Sequence, residues 1–252
     1  MKWLIGIVGI LMGCQAQEKF SEDLSVDIVD FQEVSEKTLA ETDNVCPTGM
    51  IHIVGNWCPL VKEECEDPKS GALNRCIKYK SPVCLSQNRI HKDFCIDRTE
   101  YVPLGERLPK VEVDYYQAEA ICKDEGRRLC KESEFNFACS GEEMNIYTTG
   151  LVRNCDKCNC DINHDMGPVE HRTDYRKAPE DIAECKSSFG VIGLNGNVDE
   201  ITIRDVSSGK YKVALKGGHW MPIRARCSPA TTVHSELYSA NSLGFRCCSD
   251  TQ

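Results

Sequence analysis

"VEVDYYQAEAICKDEGRRLCKESEFNFACSG", Val111 to Gly141, contains the two clearest helices of the chain, and its reading decides the fold. Asp114 is a good N-cap, Gln117 three residues on completes a capping box, and Gly126 suits the C′ position where the chain turns out of a helix. Tyr116, Ala120 and Lys123 share one face of this first helix and Gln117, Ile121 and Asp124 the next, so its ends are better marked than its buried face. In the second helix Phe135, Ala138 and Cys139 fall at i, i+3 and i+4, and Gly141 stops it.

On either side of this pair the chain is rich in cysteine and turn residues. The segment from Cys46 to Cys95 reads as a short strand followed by disulfide-tied loops. Beyond Gly141 glycine, asparagine, proline and cysteine punctuate the sequence, and strands such as "YKVALKGG" are short. Little regular structure is expected there.

With 252 residues, 41% of them hydrophobic, the chain can bury one sizeable core. Its net charge of -9, without a basic stripe, argues against a nucleic-acid partner, which needs a cationic surface to displace counterions. The 17 cysteines point to an oxidising compartment and hence to export. "MKWLIGIVGILMGC" supplies the route: Lys2, an apolar run from Trp3 to Met12 too short to span a bilayer, then Gly13-Cys14. "LMGC" resembles the bacterial lipobox, which makes Cys14 the lipidated first residue of the mature chain and leaves 16 other cysteines, an even number. The plainer alternative is a signal peptide cut near Ala16. The expected organisation is a signal segment over 1–13, a lipidated acidic tether over 14–45 and a folded domain over 46–252. Gln15, where aspartate is absent, agrees with outer-membrane sorting in the bacterial envelope.

Six motifs stand in one order: "CPTGMIHIVGN", "FCIDRTEYV", the Val111–Gly141 stretch, "FGVIGLNGNVDEIT", "ALKGGHW" and "GFRCC". Together they resemble the formylglycine-generating enzymes and the wider sulfatase-modifying-factor family, over nearly all of Cys46 to Cys248. The resemblance implies an α/β (α+β) fold of the C-type-lectin-like kind, with two helices, short strands, much irregular chain and many disulfides. "GRRLC" and "GNVDEI", together with the cysteine-rich insert from Cys58 to Cys84, depart from the enzymes and resemble a cysteine-rich lipoprotein branch.

Catalytic members hold copper(I) between two cysteines near the GG motif, as soft thiolates can. Aligned without gaps, those positions are Pro222 and Cys227, and proline has no thiol. With a small gap Cys227 instead matches a family cysteine that bonds to the one ending the second helix, here Cys139. By the same logic Cys122 pairs with a cysteine of "GFRCC", preferentially Cys247. The second placement is preferred, since exported thiols in a cysteine-dense fold are usually bonded, and it leaves no copper site.

The family also binds calcium at the "GNVDEIT" position, which implies Asn197, the Val198 carbonyl, Glu200 and the Thr202 carbonyl as ligands, an oxygen set suited to a hard cation. A solvated turn is the competing reading. A second family calcium site would begin near Asn159 and Cys160, where divergence prevents assignment. Cys155, Cys158, Cys160 and His164 have zinc-like spacing, but disulfides are expected in an oxidising compartment. No Ser/His/Asp set, paired carboxylates or phosphate loop stands out.

Two functional classes follow. One is a lipid-anchored binding module presenting Trp220, Arg224, Arg226, His234 and Tyr238 to a protein, peptide or glycan, since aromatic and arginine side chains make contact hot spots. A core position for Trp220 is the competing reading. The other is a copper-dependent oxidase converting a substrate cysteine to formylglycine, with Cys227 as its remaining thiol.

Overall fold

A computed structural model of the chain describes residues 45–68, 75–162, 173–206 and 209–252. The chain divides into two units, Met1–Asp43 and Asn44–Gln252. Cys14, the signal segment and nearly all of the tether lie outside the described residues, as does His164.

The second unit is a mixed α/β fold with much irregular chain. A four-stranded antiparallel sheet has the order β1 (Met50–Trp57), β6 (Ile90–Asp97), β11 (Cys247–Ser249) and β7 (Arg128–Leu129). A second sheet places β8 (Asp199–Ile203) between β10 (Leu243–Phe245), its parallel partner, and β9 (Val213–Lys216), its antiparallel one. Two small ribbons lie between β1 and β6: β2 (Val61–Lys62) with β5 (Val83–Cys84), and β3 (Cys65–Pro68) with β4 (Cys76–Tyr79). Each is cross-linked, by Cys58–Cys84 and Cys65–Cys76 respectively, as such short strands need.

Helix α1 spans Tyr115–Asp124, and its capping box is complete: the Gln117 N–H donates to Asp114 Oδ1 at 2.9 Å and Gln117 Oε1 accepts from the Asp114 N–H at 3.0 Å. Its buried face is Tyr115, Ala118 and Cys122, one residue round from the faces the sequence suggested. Tyr116 is half exposed, because the helix rests on the second sheet through Tyr115. Helix α2 spans Glu132–Ser140 and buries Phe135, Phe137, Ala138 and Cys139 completely. A single turn, α3, covers Cys155–Cys158.

Two cores result. One packs Ile53, Phe94 and Ile96 of the first sheet against Phe135, Phe137 and Ala138. The other packs Tyr115 and Ala118 against Ile201, Leu215, Leu243 and Phe245. The stretch from Leu243 to Ser249 crosses from one sheet to the other, and its adjacent cysteines stitch both cores. Cys247 bonds Cys122 of α1, and Cys248 bonds Cys130 ahead of α2. Cys46–Cys95, Cys139–Cys227, Cys155–Cys160 and Cys158–Cys185 complete eight bridges, so every cysteine among the described residues is bonded.

Candidate functional site

Strand β9 is followed by Gly217 and Gly218, both at positive φ (82° and 76°). A Cβ on Gly218 would lie 2.8 Å from the Ala225 nitrogen, and one on Gly217 2.8 Å from the Leu194 carbonyl oxygen. Only glycine permits both the turn and these approaches. The chain therefore doubles back after β9, bringing Ala225 against Gly218 and carrying Cys227 into the first core.

Within this loop the candidate residues separate. Cys227 is fully buried and bonded to Cys139, so neither sulfur is a thiolate. Trp220 is only 2% exposed and packs with Val198 and Met221, which corrects its placement on a binding surface: the turn after Gly218 drives the ring inward. Arg224, Arg226, His234 and Tyr238 all line cavities. His234 and Tyr238 stack with centroids 3.7 Å apart in a hollow of about 190 Å³ that also includes His219 and Arg224. Burial and the nearby Arg224 lower the His234 pKa.

Across Ile223 and Arg224 from this hollow lies a second cavity of about 320 Å³. Pro222, Ile223, Arg224 and Arg226 form one wall, and Arg75, Cys76, Tyr79, Tyr147 and Arg153 the other. Arg153 holds the loop in place by donating to the carbonyls of Ile223 and Ala225, each at 3.3 Å, while gripping Asp161 through two nitrogens at 2.8 and 3.0 Å. Asp161 also accepts from Arg75. Arg226 donates to Glu63 Oε2 at 2.8 Å and to the Tyr79 hydroxyl at 2.7 Å. Arg224 reaches Asp199 Oδ1 at 2.5 Å, yet its Nε is buried without a partner. Burial pushes the Asp199 pKa up to about 6 against the opposing pull of Arg224 and the Gly218 N–H.

Arg75, Tyr79, Tyr147 and Arg153 were not evident in the sequence. They come from the cysteine-rich insert and the loop after α2, which meet through the Tyr79–Tyr147 ring contact and the bond from the Tyr147 hydroxyl to the Cys76 carbonyl, and Arg153 joins them to the doubled-back chain at the Ile223 carbonyl. The Arg75 and Arg153 contacts to Asp161 are an ion-pair signal without a fixed sequence spacing.

The four residues assigned to calcium do not form a free oxygen cage. Both carboxylate oxygens of Glu200 accept from Arg246, at 2.6 and 2.7 Å, and each side chain is 1% exposed. The Asn197 side-chain oxygen accepts from Asn159 Nδ2 and the Lys177 N–H, while its Nδ2 donates to Glu100 Oε1 at 3.0 Å. Thr202 lies in β8 paired with Ala214 of β9, and Val198 is fully buried beside Trp220. These residues do not fit a calcium ion in this arrangement. The zinc-spaced cysteines are likewise spent, Cys155 on Cys160 and Cys158 on Cys185.

A domain of two capped helices, short strands and cross-linked loops, with the loop after its GG turn lining a polar cavity, is a sulfatase-modifying-factor type of fold. A family model for the sulfatase-modifying factor enzyme 1-like domain matches residues 69–251, and the chain belongs to that family. The crystal structure of CarF is similar at 14% identity and a TM-score of 0.52, over 82% of this chain and 99% of CarF. Treponema denticola variable protein 1 is similar at 16% identity and a TM-score of 0.50, over 80% of this chain and 94% of that protein. At such identities the likeness concerns the fold alone. No curated protein sequence matches the chain.

Proposed function

We propose that the protein is a non-catalytic binding module carried in the bacterial cell envelope, anchored to the outer membrane by lipid on Cys14, that holds a ligand on the two cavities flanking Arg224. The observation that carries this reading is the state of Cys227: fully buried and bonded to Cys139, while Pro222 lines the open cavity where a second thiol would be needed. A copper(I) site requires deprotonated sulfur, and a disulfide offers none. Fold alone does not assign an activity, so the reading rests on these residues.

Arg224, Arg226, His234 and Tyr238 are the contact groups of the proposal. Arginine and aromatic side chains at a concave site combine charge-assisted hydrogen bonds with rigid apolar area. Calcium has no role in it. No helix among the described residues is long and apolar enough to cross a membrane.

The test is a panel of defined sugars and peptides presented to the full-length protein and to the Arg226→Gln and His234→Ala variants. Binding of a panel member that weakens in either folded variant supports the module. Oxygen-dependent conversion of a cysteine peptide to formylglycine by copper-loaded protein would replace it with the oxidase.

A further inference from the structure

The larger cavity has an unusual charge balance. Its walls contribute four guanidinium groups, from Arg75, Arg153, Arg224 and Arg226. Among the described residues the carboxylates paired with them are three: Asp161 shared by Arg75 and Arg153, Asp199 on Arg224, and Glu63 on Arg226. Among the described residues one positive charge is left over, in a chain whose net charge is -9. Such a local excess inside an acidic protein is maintained against solvation cost, and a cavity wall focuses its field.

The hydrogen bonding points the same way. Among the described residues Arg226 bonds only through Nη1 and Arg224 only through Nη2. Arg224 Nε is buried without a partner, although it lies on a residue lining the opening. Because that Nε is shielded from solvent, the donors left for a ligand are terminal nitrogens, Nη1 of Arg224 and Nη2 of Arg226. Arg226 is also fixed over the Tyr79 ring at 5.7 Å, and Tyr79 against Tyr147 at 5.9 Å, so its fork is held rather than searching. Pre-set geometry of this kind reduces the ordering cost of binding.

Resting on the binding-module reading, and naming its ligand class, we propose that this cavity binds a monoanionic group, a carboxylate or sulfate ester, carried on a polar ligand of sugar-acid size. The guanidinium fork matches planar and tetrahedral oxyanions alike, through two parallel N–H donors. The single excess charge selects a monoanion over a dianion. A volume of about 320 Å³ sits at the small end of small-molecule sites, about 300–1,000 Å³, and admits a ring with its acidic group rather than a long chain.

The test is calorimetric titration of the full-length protein with sodium glucuronate, glucose 6-sulfate, glucose and inorganic phosphate. Glucuronate, the sulfate or both should bind, with glucose and phosphate at least about tenfold weaker. Arg226→Gln should weaken the acidic sugar about tenfold or more, and since the Glu63 carboxylate it leaves is only partly buried the fold should tolerate the change. Arg224→Lys, which keeps a cation for Asp199 but loses the fork, is the second variant and should weaken it similarly. Arg107→Gln, at an exposed pair with Glu180 outside the cavity lining, should change nothing. The proposal is overturned if neither acidic sugar binds at about 10 mM, if glucose or phosphate binds as well, or if both folded arginine variants bind unchanged. A neutral sugar whose binding is lost in His234→Ala would sink the anion site while leaving the binding module standing.

Discussion

Arg246 and Glu200 form a bidentate ion pair with both side chains 1% exposed, at the point where the chain crosses from β10 to β11. Arg246 donates as well to the carbonyls of Ile192 at 3.0 Å and Asp97 at 3.3 Å, so one side chain ties the two sheets to the loop before β8. Removing one partner strands a buried charge. Glu200→Ala should therefore cost about 3–5 kcal/mol in chemical denaturation. Wild-type melting should be the same in excess calcium and excess chelator. A calcium-dependent rise of several degrees, abolished in Asn197→Ala, would return these residues to a ligand role.

Glu100 lies next to this pair, and burial raises its pKa to about 7 against the opposing pull of Arg246, with Glu200 pushing the same way as burial. A folded-state pKa above the unfolded value of an acid means the folded protein holds the proton more tightly. Its contribution is thus present below the unfolded pKa and lost as pH rises towards 7. Glu100→Gln should be more stable than wild type at pH 8 and lose that advantage at pH 4. Urea unfolding of both proteins at the two pH values checks this, and a difference independent of pH would refute it. Lys216, lowered by burial to about 7, acts with the opposite slope above neutrality and is common to both proteins, so the comparison removes it.

Trp220→Ala should act on stability. With its ring packed on Val198 and Met221, truncation should cost about 3–5 kcal/mol and lower the melting temperature. Unchanged melting with a loss of ligand affinity would put the ring back on the surface.

Cys14→Ala should release the protein from the membrane while leaving its far-UV circular dichroism unchanged, since the proposed anchor precedes the folded unit that begins at Asn44. Intact mass of the detergent-extracted wild type should carry the acyl groups on Cys14. An unmodified chain starting beyond that residue would contradict this.

The helix ends were legible because caps are local: Asp114, Gln117, Gly126 and Gly141 act within one turn of themselves. The buried face of α1 was not, because Tyr115, Ala118 and Cys122 are selected by the second sheet and by the bond to Cys247, more than 120 residues away. The same limit applies to the site. Arg224 and Arg226 stood out beside the GG motif, whereas Arg75 and Arg153 are joined through Asp161 by a contact with no fixed sequence spacing. The pairing of Glu200 with Arg246 was not legible either, because Arg246 is remote in sequence and only the crossing strand brings it near.

The account depends most on the bond between Cys139 and Cys227, which ties the end of α2 to the loop beyond the GG turn across 88 residues. Closing a loop of that length should contribute about 2–4 kcal/mol, so its loss should impair folding rather than chemistry. Non-reducing peptide mapping of protein isolated from its native host, with thiols alkylated before digestion, reads it directly. The account predicts a linked Cys139–Cys227 peptide and no alkylated Cys227. An alkylated Cys227, together with stoichiometric copper(I) binding, would contradict it.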